Sequence, residues 1–253
     1  MKNVLNRFAF AIFLAALLLF WQIGGQSGII NTLFLPTPLD ILKVLVRGYQ
    51  ALLPEVAYTI TISLASFALS FVFAALAALL MDSVKLIRSI LYPFLIISQT
   101  IPTVVLAPLF VLWLGYSVLP KIILIVSVCF FPICLSLLDG LRKADPDMQN
   151  MLKSMGATRL QIFVHVRLPS AVDAMFSGLK IAATYCIMGG VIAEWLGGDR
   201  GIGVYMIRAK RSYAYDKMFA AVLLVIVSSM LMVALVNWIR WMTRKTKKRT
   251  ENI

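Results

Sequence analysis

Tyr58–Met81 reads YTITISLASFALSFVFAALAALLM, a stretch of 24 residues without one charge. A helix rises about 1.5 Å per residue, and a bilayer hydrocarbon core about 30 Å thick needs roughly 20 apolar residues to cross. This stretch therefore reads as a transmembrane helix. Working outward, five more apolar runs appear: Phe8–Ile23, Ile90–Leu114, Pro120–Leu138, Val172–Leu196 and Met218–Trp241. Ile90–Leu114 carries Pro93, Pro102 and Pro108, which packed membrane helices tolerate. Val172–Leu196 is interrupted only by Asp173, Lys180 and Glu194. The expectation is an all-α, polytopic membrane protein with six transmembrane helices, forming one domain over residues 1–253.

Composition agrees. The 253 residues are 61% hydrophobic and 14% charged, with mean hydropathy +0.90. Those values exclude disordered, coiled-coil and collagen-like chains, and nearly all soluble enzymes. Phe8–Ile23 follows Lys2 and Arg7 as a signal peptide does, but Trp21-Gln22-Ile23-Gly24 offers no small-x-small cleavage pattern, so it reads as a retained first span.

The net charge is +13. With six spans both termini share one side, and the positive-inside rule places them in the cytoplasm. That side collects 15 of the 24 Lys and Arg residues, among them Lys85, Arg88 and the tail cluster from Arg240 to Arg249; the other side holds 8. This sorting removes nucleic acid as the reason for the charge. The tail at 242–253 is expected to meet anionic lipid headgroups. Cys129, Cys134 and Cys186 fall inside spans without a CxxC pattern and read as packing residues. His165 is the sole histidine, too little for a metal site, and reads as a solvated loop residue.

The most patterned loop runs from 139 to 171. Asp145-Pro146 is a helix start, with Asp147 favourable to the dipole. Met148, Met151, Leu152 and Met155 follow at i, i+3, i+4 and i+7, an apolar stripe on a short helix that Gly156 ends. Thr158 caps a second short helix carrying Ile162, Phe163 and Val166, closed by Leu168-Pro169. A Met-faced amphipathic helix of this kind suits a groove on a soluble partner; its alternative is packing on the protein's own membrane domain or on lipid.

This segment resembles the EAA loop of bacterial ATP-binding cassette importer permeases. Gly156-Ala157 stands in the Gly-Ala position, and nine residues after Gly156 come Val166-Arg167-Leu168-Pro169. Asn150, Met151 and Leu152 occupy the glutamate-alanine-alanine positions. Leu35-Pro36-Thr37-Pro38, Gln99-Thr100-Ile101-Pro102 with Pro108, and Glu194-Trp195-Leu196-Gly197 are similar to the nitrate, sulfonate and taurine permease group. Gly178–Tyr185, Glu194–Gly198, Gly201–Met206 and Ala209-Lys210 look most like permeases for hydroxymethylpyrimidine, a thiamine precursor. The resemblance implies the type I importer permease fold and a second permease copy. It also implies two cytoplasmic ATP-binding subunits, met by Met148, Met151, Leu152, Met155, Gly156, Ala157, Leu168 and Pro169, and an external solute-binding protein. No GxxxxGK[ST] loop occurs, so no ATP chemistry and no cofactor are expected in this chain.

Gly178, Ala182, Cys186 and Gly190 recur every four residues, with Glu194 the next step. Small faces of this kind let membrane helices pack closely. The alternative is a sliding surface along the translocation path, on which Gly190→Leu blocks transport more than assembly. Ser98, Gln99, Thr100, Thr184 and Tyr185 interrupt spans and, with Gly190 and Glu194, are the pathway candidates. Glu194 is expected to pair with Arg200 or to act in a gate. The outer loop 197–217 starts with four flexible glycines; Arg200, Arg208, Lys210 and Arg211 in it are candidates for docking an acidic binding protein.

Two other classes fit poorly. An ion-coupled secondary transporter calls for a midplane acid and repeats. Asp173 and Glu194 lie toward opposite ends of one span. A membrane enzyme lacks HExxH and a second histidine.

Overall fold

The computed structural model describes residues 2–250, and side chains at 9 and 11–243. The expectations on Lys2, Arg7 and the tail cations beyond Thr243 rest on side chains outside those described. Among the described residues ten α-helices follow one another: α1 (Lys2–Gln26), α2 (Pro38–Ser83), α3 (Lys85–Ser98), α4 (Thr103–Leu114), α5 (Leu119–Arg142), α6 (Pro146–Ser154), α7 (Arg159–Ile162), α8 (Leu168–Gly197), α9 (Ile202–Arg211) and α10 (Tyr215–Thr250). Among the described residues α2, α5, the run Arg159–Gly197 and α10 are long and apolar enough to cross a membrane. The α3–α4 pair makes a fifth span if taken as one, and the described apolar part of α1, Ala11–Gln26, is shorter.

The centre is α5 packed on α8, with α2 against both. Close approach requires small residues, and the sequence supplies them. A Cβ on Gly178 would overlap the Pro132 carbonyl and lie 2.6 Å from Ser136 Cβ; one on Gly140 would lie 2.9 Å from Ala171 Cα. On α2 the buried seam is Thr59, Ser63, Ser66, Ser70, Ala74, Ala78 and Met81, spaced three or four apart on one helix face. The core between them holds Ile125, Cys129, Ile133, Cys134, Leu138, Ala182 and Cys186. The cysteines are free and buried.

Three expectations change. The third apolar run is two helices, α3 and α4, bent by 103° across Gln99–Pro102. Pro102 has no N–H to continue the ladder and biases Ile101 away from helical geometry. Pro93 and Pro108 stay inside their helices. Leu168-Pro169 does not close the loop. A π-helical turn, Phe163–Arg167, carries the chain straight into α8, with Pro169 in its first turn, where a missing N–H costs nothing. The outer loop is not a flexible connector, because ten of its residues form α9, with Ile202, Gly203, Val204 and Ala209 buried.

Candidate functional site

Between the α3–α4 bend, α5 and α8 lies a cleft of about 500 Å³. Ser98, Gln99, Ile101 and Thr103 supply one wall, Ser127, Phe131 and Pro132 another, and Ile181, Tyr185 and Met188 the third. Ser98 Oγ donates to Leu95 O at 2.9 Å and Ser127 Oγ to Ile123 O at 2.7 Å. Their protons are committed, so both hydroxyls face the cleft as acceptors. Gln99 makes no side-chain hydrogen bond among the described residues, and its amide is the versatile group there. Among the described residues no charged side chain lines the cleft.

Of the pathway candidates, the fold brings Ser98, Gln99 and Tyr185 together. Thr100 and Thr184 turn back to their own helices, donating to Ile97 O at 2.7 Å and Lys180 O at 3.0 Å. Gly190 lies in the α2–α5–α8 packing, where a Cβ would come within 2.9 Å of Ser63 Oγ and 3.6 Å of Ile125 Cδ1. Gly190→Leu is therefore expected to cost about 1–3 kcal/mol by overpacking. The check is the unfolding midpoint in detergent; an unchanged midpoint with blocked uptake would return Gly190 to the pathway. Sequence reasoning missed Ser127, Phe131, Ile181 and Met188. Ser127, one of two hydroxyls in the apolar run Pro120–Leu138, was the signal available.

At the cytoplasmic end α6 is built as its caps dictate. Asp145 Oδ1 accepts from Asp147 N–H at 2.9 Å. Gly156, at φ +85°, ends the helix with Gly156 N–H donating to Lys153 O and Ala157 N–H to Leu152 O, both at 3.0 Å, a Schellman closure. Thr158 and Gln161 form a capping box on α7. No residue of α6 is buried, and Met148, Met151 and Met155 are 49%, 56% and 74% exposed. The stripe therefore does not pack on its own membrane domain. Asn150, at the motif's glutamate position, is exposed. Arg167 anchors the loop. Its guanidinium donates to Asp82 Oδ1 at 2.6 Å, at the end of α2, and to Leu141 O at 3.2 Å, at the end of α5. Asp173, by contrast, accepts from Arg240 at 2.9 Å and so ties α8 to α10.

At the opposite end a polar cluster fixes α9. Glu194 does not pair with Arg200. Its Oε1 accepts from Thr59 Oγ1 at 2.7 Å and its Oε2 from Gly203 N–H at 2.8 Å, while Thr59 Oγ1 accepts from Ile202 N–H at 3.0 Å. Glu55 accepts the N–H of Gly201. Carboxylates from α2 and α8 thus occupy the N-terminus of α9, where the helix dipole and unpaired N–H groups favour negative charge. Gly201 sits at φ +117°, and a Cβ there would overlap the Glu194 carboxylate. The glycines expected to confer flexibility instead permit contact. Beside this clamp, buried Lys121 donates to Tyr58 OH and Asp199 Oδ1, each at 3.2 Å, which holds the Asp199 carboxyl below its usual range. Arg200 stacks on Tyr58 at 4.4 Å, and Arg208 donates to Asp199 O at 2.8 Å. Lys210 and Arg211 project from α9, exposed.

Comparison with known proteins bears on this geometry. The family described as "Binding-protein-dependent transport system inner membrane component" matches residues 70–245. A Haemophilus influenzae protein named "Probable ABC transporter permease protein" is 32% identical over 90% of this chain and 93% of its own. "Formylaminopyrimidine transport permease protein ThiX" of Halalkalibacterium halodurans is 34% identical over 83% of this chain and 84% of its own. A solved chain titled "Crystal structure of an amino acid ABC transporter with histidines" superposes with TM-score 0.64 at 13% identity, covering 78% of this chain and 95% of that one. That last likeness concerns the fold.

Proposed function

The chain belongs to the family of binding-protein-dependent transport system inner membrane components, and from that premise we propose that it carries a neutral, flat pyrimidine of the thiamine-precursor type. Membership makes it a multi-pass permease subunit of an ATP-binding cassette importer, working with a separate ATP-hydrolysing subunit and a solute-binding protein. The observation that carries the finer reading is the cleft. Its described lining is uncharged, with an amide and hydroxyl oxygens beside the aromatic rings of Phe131 and Tyr185. Such a lining stacks and hydrogen-bonds a heteroaromatic ring, and offers a sulfonate or nitrate no countercharge. The 34% identity to a formylaminopyrimidine permease points the same way.

In this reading two copies pair with their clefts facing, since Ile181, Tyr185 and Met188 leave that wall open. Both termini and the loop 139–171 lie in the cytoplasm, over two ATP-binding subunits that seat the α6 methionines. The outer segment 197–217 presents Arg200, Arg208, Lys210 and Arg211, all exposed, to the binding protein. Nucleotide-driven movement of α6 opens the cleft to alternate sides. The test is uptake of labelled formylaminopyrimidine into cells carrying the whole transporter. Excess unlabelled pyrimidine is expected to compete and taurine not to. Gln99→Ala is expected to reduce uptake about tenfold, the loss of one or two hydrogen bonds of about 1 kcal/mol each. Competition by taurine, or full uptake by Gln99→Ala, would overturn the substrate assignment.

A further inference from the structure

Helix α2 has 46 residues and is about 69 Å long at 1.5 Å per residue, more than twice the roughly 30 Å hydrocarbon core. The uncharged stretch from Tyr58 crosses that core alone, so Pro38–Leu53 lies beyond it. Both ends of this segment are held where spans end. At its start, Leu39 N–H donates to Gln22 Oε1 of α1 at 3.1 Å. A Cβ on Gly25, in the last turn of α1, would lie 2.6 Å from Thr37 Cγ2, so the α1 backbone lies against the Thr37 side chain there. At its finish, it runs directly into the span. Asp216 and Lys217, in the first turn of α10, close a groove of about 490 Å³ along its flank. The segment is therefore tied to the end of α1 and flanked by the start of α10, immediately before its own span. Pro54, inside the helix, removes the hydrogen bond to the Gln50 carbonyl, where the axis can change direction.

At 100° per residue its side chains fall into three sectors. Ile41, Leu45 and Leu52 point inward, and Leu52 packs with Val191, Ile202 and Ala221. Asp40, Lys43 and Arg47 line the groove, Lys43 paired with Asp40 at 2.9 Å. The third sector is apolar and uncovered. Leu39, Leu42, Val46, Tyr49 and Leu53, at i, i+3, i+7, i+10 and i+14, are all exposed, Val46 by 74%. Such a stripe beside basic groups, on a helix that leads directly into a span, matches the acyl–headgroup boundary. Apolar side chains sink there and Lys or Arg reach the phosphates.

We infer that Pro38–Leu53 is an interfacial helix that seats the Leu39–Leu53 stripe among the acyl chains of the leaflet bordering it, with Lys43 and Arg47 at phosphate level. The inference needs the chain to span a membrane and is independent of the substrate and of the ATP-hydrolysing partner. An environment-sensitive nitrobenzoxadiazole label at Val46→Cys, and separately at Arg47→Cys, tests it. The full chain is held in nanodiscs of phosphatidylethanolamine and phosphatidylglycerol containing nitroxide-labelled lipid, and unsubstituted protein gives the background from the three buried cysteines. The Val46 label is expected to emit to the blue and to be quenched by nitroxide lipid about threefold or more above the Arg47 label, with aqueous iodide reversing the order. Leu53→Cys repeats the measurement independently. Iodide quenching at Val46 and Leu53 without nitroxide quenching would place the stripe in water and overturn the inference. Protection from both quenchers, with Val46→Cys cross-linking two copies, would make it a seam between subunits and equally overturn it.

Discussion

Replacing Met148 and Met151 together with aspartate is expected to abolish ATP-driven uptake while leaving the permease folded in the membrane. No residue of α6 is buried, so nothing in the membrane domain loses packing. Under the proposed function the cost falls on the contact with the ATP-hydrolysing subunit. Burying a methionine side chain contributes about 1.5–3 kcal/mol, so losing two forfeits roughly 3–6 kcal/mol per copy. Placing a carboxylate in an apolar groove adds a further penalty. At about 1.4 kcal/mol per factor of ten, association weakens at least a hundredfold. The measurements are co-purification of the ATP-binding subunit and uptake in vesicles, beside the unfolding midpoint of the permease alone. Normal co-purification by the double variant would show that the stripe does not hold the partner.

The second large effect concerns the opposite end. Glu194→Ala is expected to destabilise the protein by about 3 kcal/mol, the range for stranding buried groups that had bonded a carboxylate. The Gly203 N–H loses its acceptor, and the Thr59 hydroxyl loses the nearer of two, keeping only the Glu55 carbonyl at 3.1 Å. The N-terminus of α9 also loses a compensating charge. Glu194→Gln keeps one carbonyl oxygen and is expected to lose less. Gly201→Ala should resemble Glu194→Ala, because its Cβ overlaps that carboxylate at φ +117°. Hydrogen exchange separates this from global unfolding: amides of α9 should exchange faster in Glu194→Ala while those of α5 stay protected. Unchanged exchange in α9 would mean that the carboxylate does not hold the helix.

The spans were legible in the sequence because hydrocarbon thickness imposes a length that apolar runs display. So were the caps of α6 and α7, because Asp145, Gly156 and Thr158 act within a few residues of themselves. The α3–α4 bend was not. Pro93, Pro102 and Pro108 share one apolar run, yet only Pro102 breaks it, and neighbouring helices decide which freed carbonyls find partners. Nor could spacing pair Glu194 with Thr59, 135 residues away, since periodicity reports a helix's own faces and not what lies opposite. Proximity in sequence suggested Arg200 instead, whose guanidinium takes the Tyr58 ring. Of the cleft, Ser98, Gln99 and Tyr185 were visible as polar interruptions. Phe131 and Ile181 look like any other apolar residue until a neighbour is missing beside them.

The unbroken course of α8 has a mechanical consequence. Its 30 residues make a rod about 45 Å long, fastened near one end by Arg167 to Asp82 and near the other by Glu194 to α9. Tilting such a lever by about 5° around its middle sweeps each end through roughly 2 Å, in opposite directions. Tyr185 sits just beyond the fulcrum and barely travels. A small push at the base would thus be felt as a tug at the top, with the cleft wall turning in place between them.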